Sequence, residues 1–235
     1  LGEGDWIIAE ADESDGSFNK LSPEIAIITN IDNDHLDYYK SFENLQKAFL
    51  AFASKVPFYG CVIVCGDDPL VRNLFRNFHK KIFFYGFSEE NEYIILGENG
   101  KYSLQHRTQE KSISLGKFNL NVPGRHNALN ATAALLSGMH AGLDFQTCAQ
   151  GLLSFQGVDR RFHFKGEKKN IKIYDDYGHH PTEVSATLQA FREKYPKNRI
   201  VVMFQPHRFS RTQICWKEFT TCFNDCDELI LTDIY

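Results

Sequence analysis

Ile25-Ala26-Ile27-Ile28-Thr29 is an unbroken apolar run, and the polar segment Asn30-Ile31-Asp32-Asn33-Asp34-His35-Leu36-Asp37 follows it at once. A short run of this kind reads as a strand buried on both faces, as in a parallel sheet. Ser41 then offers an N-cap, and Phe42, Leu45, Phe49, Phe52 and Val56 recur at helical spacing. Working outward, Trp6–Ala9 reads as an earlier strand. Cys61–Cys65 and Lys81–Tyr85 read as later ones, with a helix over Pro69–Phe78 between them. Alternation of strand and helix predicts an α/β fold, a mainly parallel sheet covered by helices.

The pattern changes at Glu92–Val122, where short alternating segments punctuated by Gly97, Gly100 and Gly116 predict antiparallel hairpins. Helical sequence returns over Asn127–Ala141 and Asp144–Leu153. A domain boundary is expected near Leu153–Gly157, dividing the chain into 1–154 and 155–235. In the second part Phe162–Lys165 and Ile171–Tyr174 read as paired strands, and Pro181 opens a helix to about Tyr195. A buried strand Ile200–Phe204, a helix Thr212–Phe223 and a strand Leu229–Thr232 complete it. Both ends of the chain read as cut inside folded structure.

Bulk properties narrow the function. The 235 residues are 43% hydrophobic, enough to bury a core, and 20 Phe with 10 Tyr make that core aromatic. Net charge is −4 with no Lys/Arg block, which argues against a nucleic-acid partner. No apolar run approaches the ~20 residues of a membrane span, and no signal peptide opens the chain. The six cysteines form no C-x-x-C pair and read as free thiols of a reducing cytoplasm.

Polar clusters recur where strands end, the position at which open α/β sheets bind ligands. Glu10-Ala11-Asp12-Glu13-Ser14-Asp15 packs four carboxylates that repel one another unless a cation or donor sits among them; a solvated acidic turn is the plain alternative. His35 lies among three carboxylates of its own loop. Asn127 and Asn130 share a helix face after Pro123-Gly124-Arg125-His126, suited to a base or phosphate or simply to capping. Arg160-Arg161 could grip phosphate. Asp175-Asp176-Tyr177-Gly178-His179-His180-Pro181-Thr182-Glu183, read as the end of a buried strand and the loop that follows it, is the most unusual stretch. His and Asp are also zinc donors, although adjacent histidines seldom ligate one ion. His207, Arg208 and Arg211 form a cationic set suited to a carboxylate or phosphate.

Taken together these segments resemble the Mur ligase family. The resemblance is carried by EADESD (Glu10–Asp15), GRHNALNA (Gly124–Ala131) and DDYGHHPTE (Asp175–Glu183), by their order, and by the 25-residue step from Glu10 to His35. It spans essentially the whole chain. FQPHRFSRT (Phe204–Thr212) looks like the L-alanine-adding member, and the related tripeptide-recycling ligase is the close alternative. A metal-dependent hydrolase is the remote one.

The resemblance implies a P-loop-type central ATP-binding domain at 1–154, followed by part of a Rossmann-like C-terminal domain at 155–235. The chain departs from the family in holding no G-x-x-x-x-G-K-[ST]; in the family that element precedes EADESD, so here it would precede Leu1. The implied reaction is ATP-dependent amide formation between UDP-N-acetylmuramate and L-alanine through an acyl phosphate, in peptidoglycan precursor synthesis. By resemblance Glu10 holds Mg²⁺ and His35 a second divalent ion, where Mn²⁺ is able to substitute. His126, Asn127, Asn130, Arg161 and Asp176 meet ATP. Tyr177, His179, His207, Arg208 and Arg211 face the amino acid and acyl phosphate, with Glu10, His35, Arg161 and His179 as the catalytic set. His180 is left between a substrate and a structural role. These residues alone, lacking a P-loop, are expected to be inactive.

Overall fold

The structure, a computed structural model, describes residues 3–235. Leu1 and Gly2, where the expected central domain begins, lie outside the described residues. The chain forms two compact units, Leu1–Tyr85 and Gly86–Tyr235.

In the first unit β1 (Ile25–Ile28), β2 (Cys61–Cys65) and β3 (Ile82–Gly86) run parallel, with Ile25 opposite Cys61 and Val62 opposite Ile82. Every residue of β2 is buried, as a strand flanked on both edges and covered on both faces must be. β1 departs from the expectation: Ile27 is exposed while Ala26 and Ile28 are buried, so only one face of β1 is covered. The helices are α1 (Leu36–Tyr39), α2 (Phe42–Ala53) and α3 (Pro69–Phe75). Ser41 Oγ accepts the Asn44 N–H at 3.2 Å, capping α2 as its sequence suggested. Asp68 caps α3, and Pro69 fills the first position, where no N–H is needed. Phe18, Leu45, Phe52, Val62, Val64 and Phe75 share one core.

The expected strand at Trp6–Ala9 is absent. No ladder among the described residues includes it, and Ile7 and Ile8 are 93% and 98% exposed. An apolar run becomes a strand only when a neighbouring strand accepts from its N–H groups and donates to its C=O groups, and here none does. The acidic loop therefore follows an irregular segment, not a buried strand.

In the second unit β4 (Tyr93–Glu98), β5 (Lys101–Arg107) and β6 (Ser112–Asn119) form the expected antiparallel meander, with a register shift between Leu104 and Gln105. α4 (Arg125–His140) and α5 (Phe145–Ser154) follow, the latter capped by Asp144. β7 (His163–Lys168) pairs antiparallel with β8 (Ile171–Asp175), then come α6 (Pro181–Lys194), β9 (Val201–Phe204), α7 (Phe209–Ile214), α8 (Trp216–Phe219) and β10 (Glu228–Leu231), parallel to β9. Val184, Leu188, Phe204 and Cys222 make the local core.

Three expectations are corrected here. β8 and β9 are not buried strands: Ile171, Lys172 and Ile173 are exposed in succession, so both faces of β8 are open there, and Val201 and Met203 are exposed because β9 has cover on one side only. The helix expected over Thr212–Phe223 is two short helices broken at Cys215. It ends early where the Thr220 and Thr221 hydroxyls turn back onto the Lys217 and Glu218 carbonyls.

Candidate active site

In the first unit the acidic loop and the His35 loop meet. The Tyr39 hydroxyl donates to the Glu13 carbonyl at 2.6 Å, tying α1 to the loop. Burial, then Tyr38 and the nearby carboxylates, push its pKa up to about 12. His35 adopts a left-handed backbone (φ 58°) at the start of α1. Its Nε2 lies 3.5 Å from Glu13 Oε1 and 3.8 Å from Asp34 Oδ2. The two clusters singled out in the sequence therefore converge, but through Glu13. Glu10 is exposed on the irregular segment, and no contact between it and His35 is seen.

Asp12 and Asp15 each spend an oxygen on their own turn. They accept the Ser14 and Ser17 N–H groups at 2.8 and 2.9 Å, and the Ser14 N–H and side chain beside Asp12 and the Ser17 side chain and N–H beside Asp15 hold both carboxyls below the usual range. Among the described residues no group of three or more His, Cys, Asp or Glu side chains is placed to hold a metal ion by itself. Magnesium does not require one, since it usually keeps several waters and takes one or two protein carboxylates beside substrate phosphates. The hard oxygens of Glu10 and Glu13 fit that role. The His35 nitrogen fits Mn²⁺ better than Mg²⁺.

In the second unit the chemistry gathers around the start of α4, the Arg160–Phe162 turn and the loop before α6. Gly124 has φ +100°, and a Cβ there would stand 2.7 Å from the His126 ring and 3.0 Å from Ala190 on α6. The absent side chain lets α4 approach α6 and seats His126 on the glycine. Burial lowers the His126 pKa; Asp176 nearby pulls it up and Arg161 pushes it down. His126, Arg161 and Asp176, three of the predicted nucleotide-side residues, thus share one neighbourhood. Asn127 Nδ2 donates to the Pro123 carbonyl at 2.6 Å, closing the turn before the helix, while Asn130 is exposed.

Asp176 works as a clamp. Its Oδ2 accepts the Phe162 N–H and its Oδ1 the Gly178 N–H, both at 2.8 Å. Tyr177 N–H donates to the Arg160 carbonyl at 2.6 Å, and the Arg160 guanidinium lies 4.4 Å from the Tyr177 ring centroid. These contacts hold Arg160 and Phe162 in left-handed backbone (φ 59° and 49°), unusual for residues with a Cβ. The turn points Arg161 at Glu183, with Nη1 3.1 Å from Oε1.

Glu183 is the residue the sequence reading passed over. Its Oε2 accepts the N–H groups of His179 and His180 at 3.0 and 3.1 Å. Burial raises its pKa, yet those two donors, His179 and Arg161 outweigh burial and leave the carboxyl below its usual range. The signal was present as a capping box, His180-Pro181-Thr182-Glu183, with His in the place usually taken by Ser or Thr.

His179 Nδ1 lies 3.0 Å from the Tyr177 carbonyl, and its ring is 6.1 Å from that of His207. Arg211 is buried, with Nη1 3.3 Å from the His207 carbonyl and 3.4 Å from its Nδ1. Arg208 is exposed, with φ 69°. The structure therefore joins His179, His207 and Arg211, leaves Arg208 at the rim, and buries His180 behind them.

Residues 3–138 match the family described as Mur ligase middle domain, and residues 160–234 match Mur ligase, glutamate ligase domain. This chain belongs to the Mur ligase family. The Mur ligase chain is 66% identical over its whole length to a UDP-N-acetylmuramate–L-alanine ligase of Bdellovibrio bacteriovorus, of which it covers 52%. It is 48% identical to one from Lawsonia intracellularis with the same coverage. It spans about half the length of the curated relatives it matches. Among solved structures, the UDP-N-acetylmuramate–alanine ligase of Thermotoga maritima superposes with a TM-score of 0.75 at 29% identity, covering 96% of this chain and 49% of that one. No helix among the described residues is long and apolar enough to cross a membrane.

Proposed function

We propose that this Mur ligase chain forms part of a cytoplasmic ATP-dependent enzyme joining L-alanine to UDP-N-acetylmuramate through an acyl phosphate, in peptidoglycan precursor synthesis. The reading is supported most by the grouping of His126, Arg161 and Asp176 beside His179, His207 and Arg211 in one unit. It is supported further by the 66% identity to a relative of that name. Residues 1–154 are assigned to the ATP-binding domain and 155–235 to the C-terminal ligase domain.

The lactyl carboxylate attacks the γ-phosphorus of ATP and ADP leaves. The alanine amine then attacks the acyl carbon, and the tetrahedral intermediate expels phosphate as the amide forms. Two anions must be brought together, so fixed cations and donors carry the catalysis. Arg161 meets the phosphates, and the Glu183 ion pair keeps it extended toward them. His126, Asn127 and Asn130 take the adenine and ribose side. Asp176 both shapes the Arg161 turn and meets the ribose. His207, Arg208 and Arg211 receive the amino-acid carboxylate, with Tyr177 and His179 beside the reacting carbonyl. Glu10 would hold one Mg²⁺ and His35 a second divalent ion, Mg²⁺ or Mn²⁺, and these ions would neutralise charge on the phosphates.

Measuring UDP-N-acetylmuramate-dependent ADP release by the full-length protein, with L-alanine against an alanyl tripeptide, tests this. Saturable turnover with L-alanine is expected. Preference for the tripeptide, or no dependence on the sugar nucleotide, would overturn it. The 235 residues alone are expected not to turn over, since they hold no P-loop sequence.

A further inference from the structure

His180 is 7% and Cys215 5% exposed, and Cys215 Sγ lies 3.5 Å from His180 Nε2. The other ring nitrogen, Nδ1, accepts the Thr182 N–H at 3.4 Å as the N-cap of α6. A neutral imidazole that accepts through Nδ1 carries its proton on Nε2, and that proton faces the sulfur. One buried ring thus ends one helix and touches another. Cys215 sits at the break between α7 and α8, and its N–H donates to the Arg211 carbonyl at 2.9 Å. Arg211 in turn holds His207. A continuous path runs from the His179 loop through His180 and Cys215 to Arg211 and His207, beneath the 6.1 Å approach of the His179 and His207 rings.

We propose that the His180–Cys215 contact is a positioning device for the amino-acid subsite: it sets Arg211 of α7, and through it His207 of the preceding loop, against His179. The inference rests on the function proposed above for the reaction it serves, but its geometry stands independently. His180 touches no substrate in this assignment and acts through Arg211. The contact is weak as hydrogen bonds go, because sulfur is a poor acceptor. Its effect is to fix register between two buried elements, where small displacements of a carboxylate-binding arginine are costly to catalysis.

The test is steady-state kinetics on the full-length protein carrying Cys215→Ala, Cys215→Ser, His180→Asn and the Cys215→Ala/His180→Asn pair. Asn still caps α6, so His180→Asn removes the sulfur contact while keeping the cap. The expected result is a KM for L-alanine raised roughly 5- to 20-fold in Cys215→Ala and in His180→Asn, with the KM for ATP within about twofold of wild type. The pair should be no worse than either single variant, and Cys215→Ser should recover part of the loss. Additive losses, or a Cys215→Ala variant with an unchanged KM for L-alanine, would overturn the proposal. A wild-type protein inert with every amino acid would sink the functional reading instead. In that case the ¹⁵N shifts of the His180 ring decide the geometry by themselves: protonation at Nε2 upholds the link and protonation at Nδ1 refutes it.

Discussion

Arg161 and Glu183 stand 22 residues apart in sequence and meet at 3.1 Å, Nη1 to Oε1, while the other Glu183 oxygen accepts two successive backbone N–H groups. One carboxylate therefore fixes Arg161 and shapes the loop that carries His179. The arginine is half exposed, so the ion pair itself contributes little to stability. The backbone bonds matter more. Glu183→Ala leaves two N–H groups at a helix start without their charged acceptor and should cost about 1–3 kcal/mol. Urea unfolding with an unchanged slope would register that loss. A shift below about 0.5 kcal/mol would mean that water replaces the carboxylate.

Glu183 also makes a pH prediction. Its folded pKa lies below the usual carboxylate value, so the folded state binds fewer protons than the unfolded state as pH falls through that region. The stabilisation is present above the unfolded pKa near 4.5 and is lost as pH falls through the lower folded value. His126 acts higher on the scale with the same sign. Its pKa is depressed by burial, so no penalty exists above about 6.5 and stability declines as pH falls below it. Thermal midpoints from pH 7.5 to 5 should fall more steeply for wild type than for His126→Gln; parallel curves would contradict a buried neutral imidazole.

Gly124 makes a steric prediction. At φ +100° a side chain is strained, and its Cβ would press on the His126 ring and on Ala190. Gly124→Ala should destabilise the unit by about 1–3 kcal/mol and weaken nucleotide binding by the full-length protein, measured by calorimetry. An Ala variant with unchanged affinity would detach His126 from the ATP side.

Much of this was legible from the residues. The β2 run, the Ser41 cap, the hairpins of 92–122 and Pro181 at the head of α6 rest on local rules, and the structure follows them. What failed depended on neighbours. Trp6–Ala9 has strand composition but no ladder partner among the described residues, and Ile27, Ile171 and Met203 have apolar side chains that their neighbours cover only in part. The site shows the same division. Residue types placed the clusters, but only three-dimensional contacts revealed that His35 meets Glu13, that Asp176 clamps the Phe162 turn, and that His180 is buried against Cys215. Those relationships join residues 14 to 35 positions apart, beyond the reach of periodicity.

The divalent-ion assignment yields the most direct prediction. If Glu10 and His35 are ligands in the full-length protein, Glu10→Ala and His35→Ala should each lower turnover about 10- to 100-fold at limiting Mg²⁺, with partial recovery as Mg²⁺ is raised. Mn²⁺ should rescue the Glu10 variant better than the His35 variant, because it is the nitrogen ligand that favours Mn²⁺. Glu13 provides the control. It lies 3.5 Å from His35 Nε2, so in the ion's absence it orients the ring. Glu13→Gln keeps the shape and removes the charge, and should raise the Mg²⁺ concentration for half-maximal rate while leaving the rate at saturation within about threefold. Near-normal turnover by Glu10→Ala at every Mg²⁺ concentration, together with a severe defect in Glu13→Gln, would transfer the ligand role from Glu10 to Glu13.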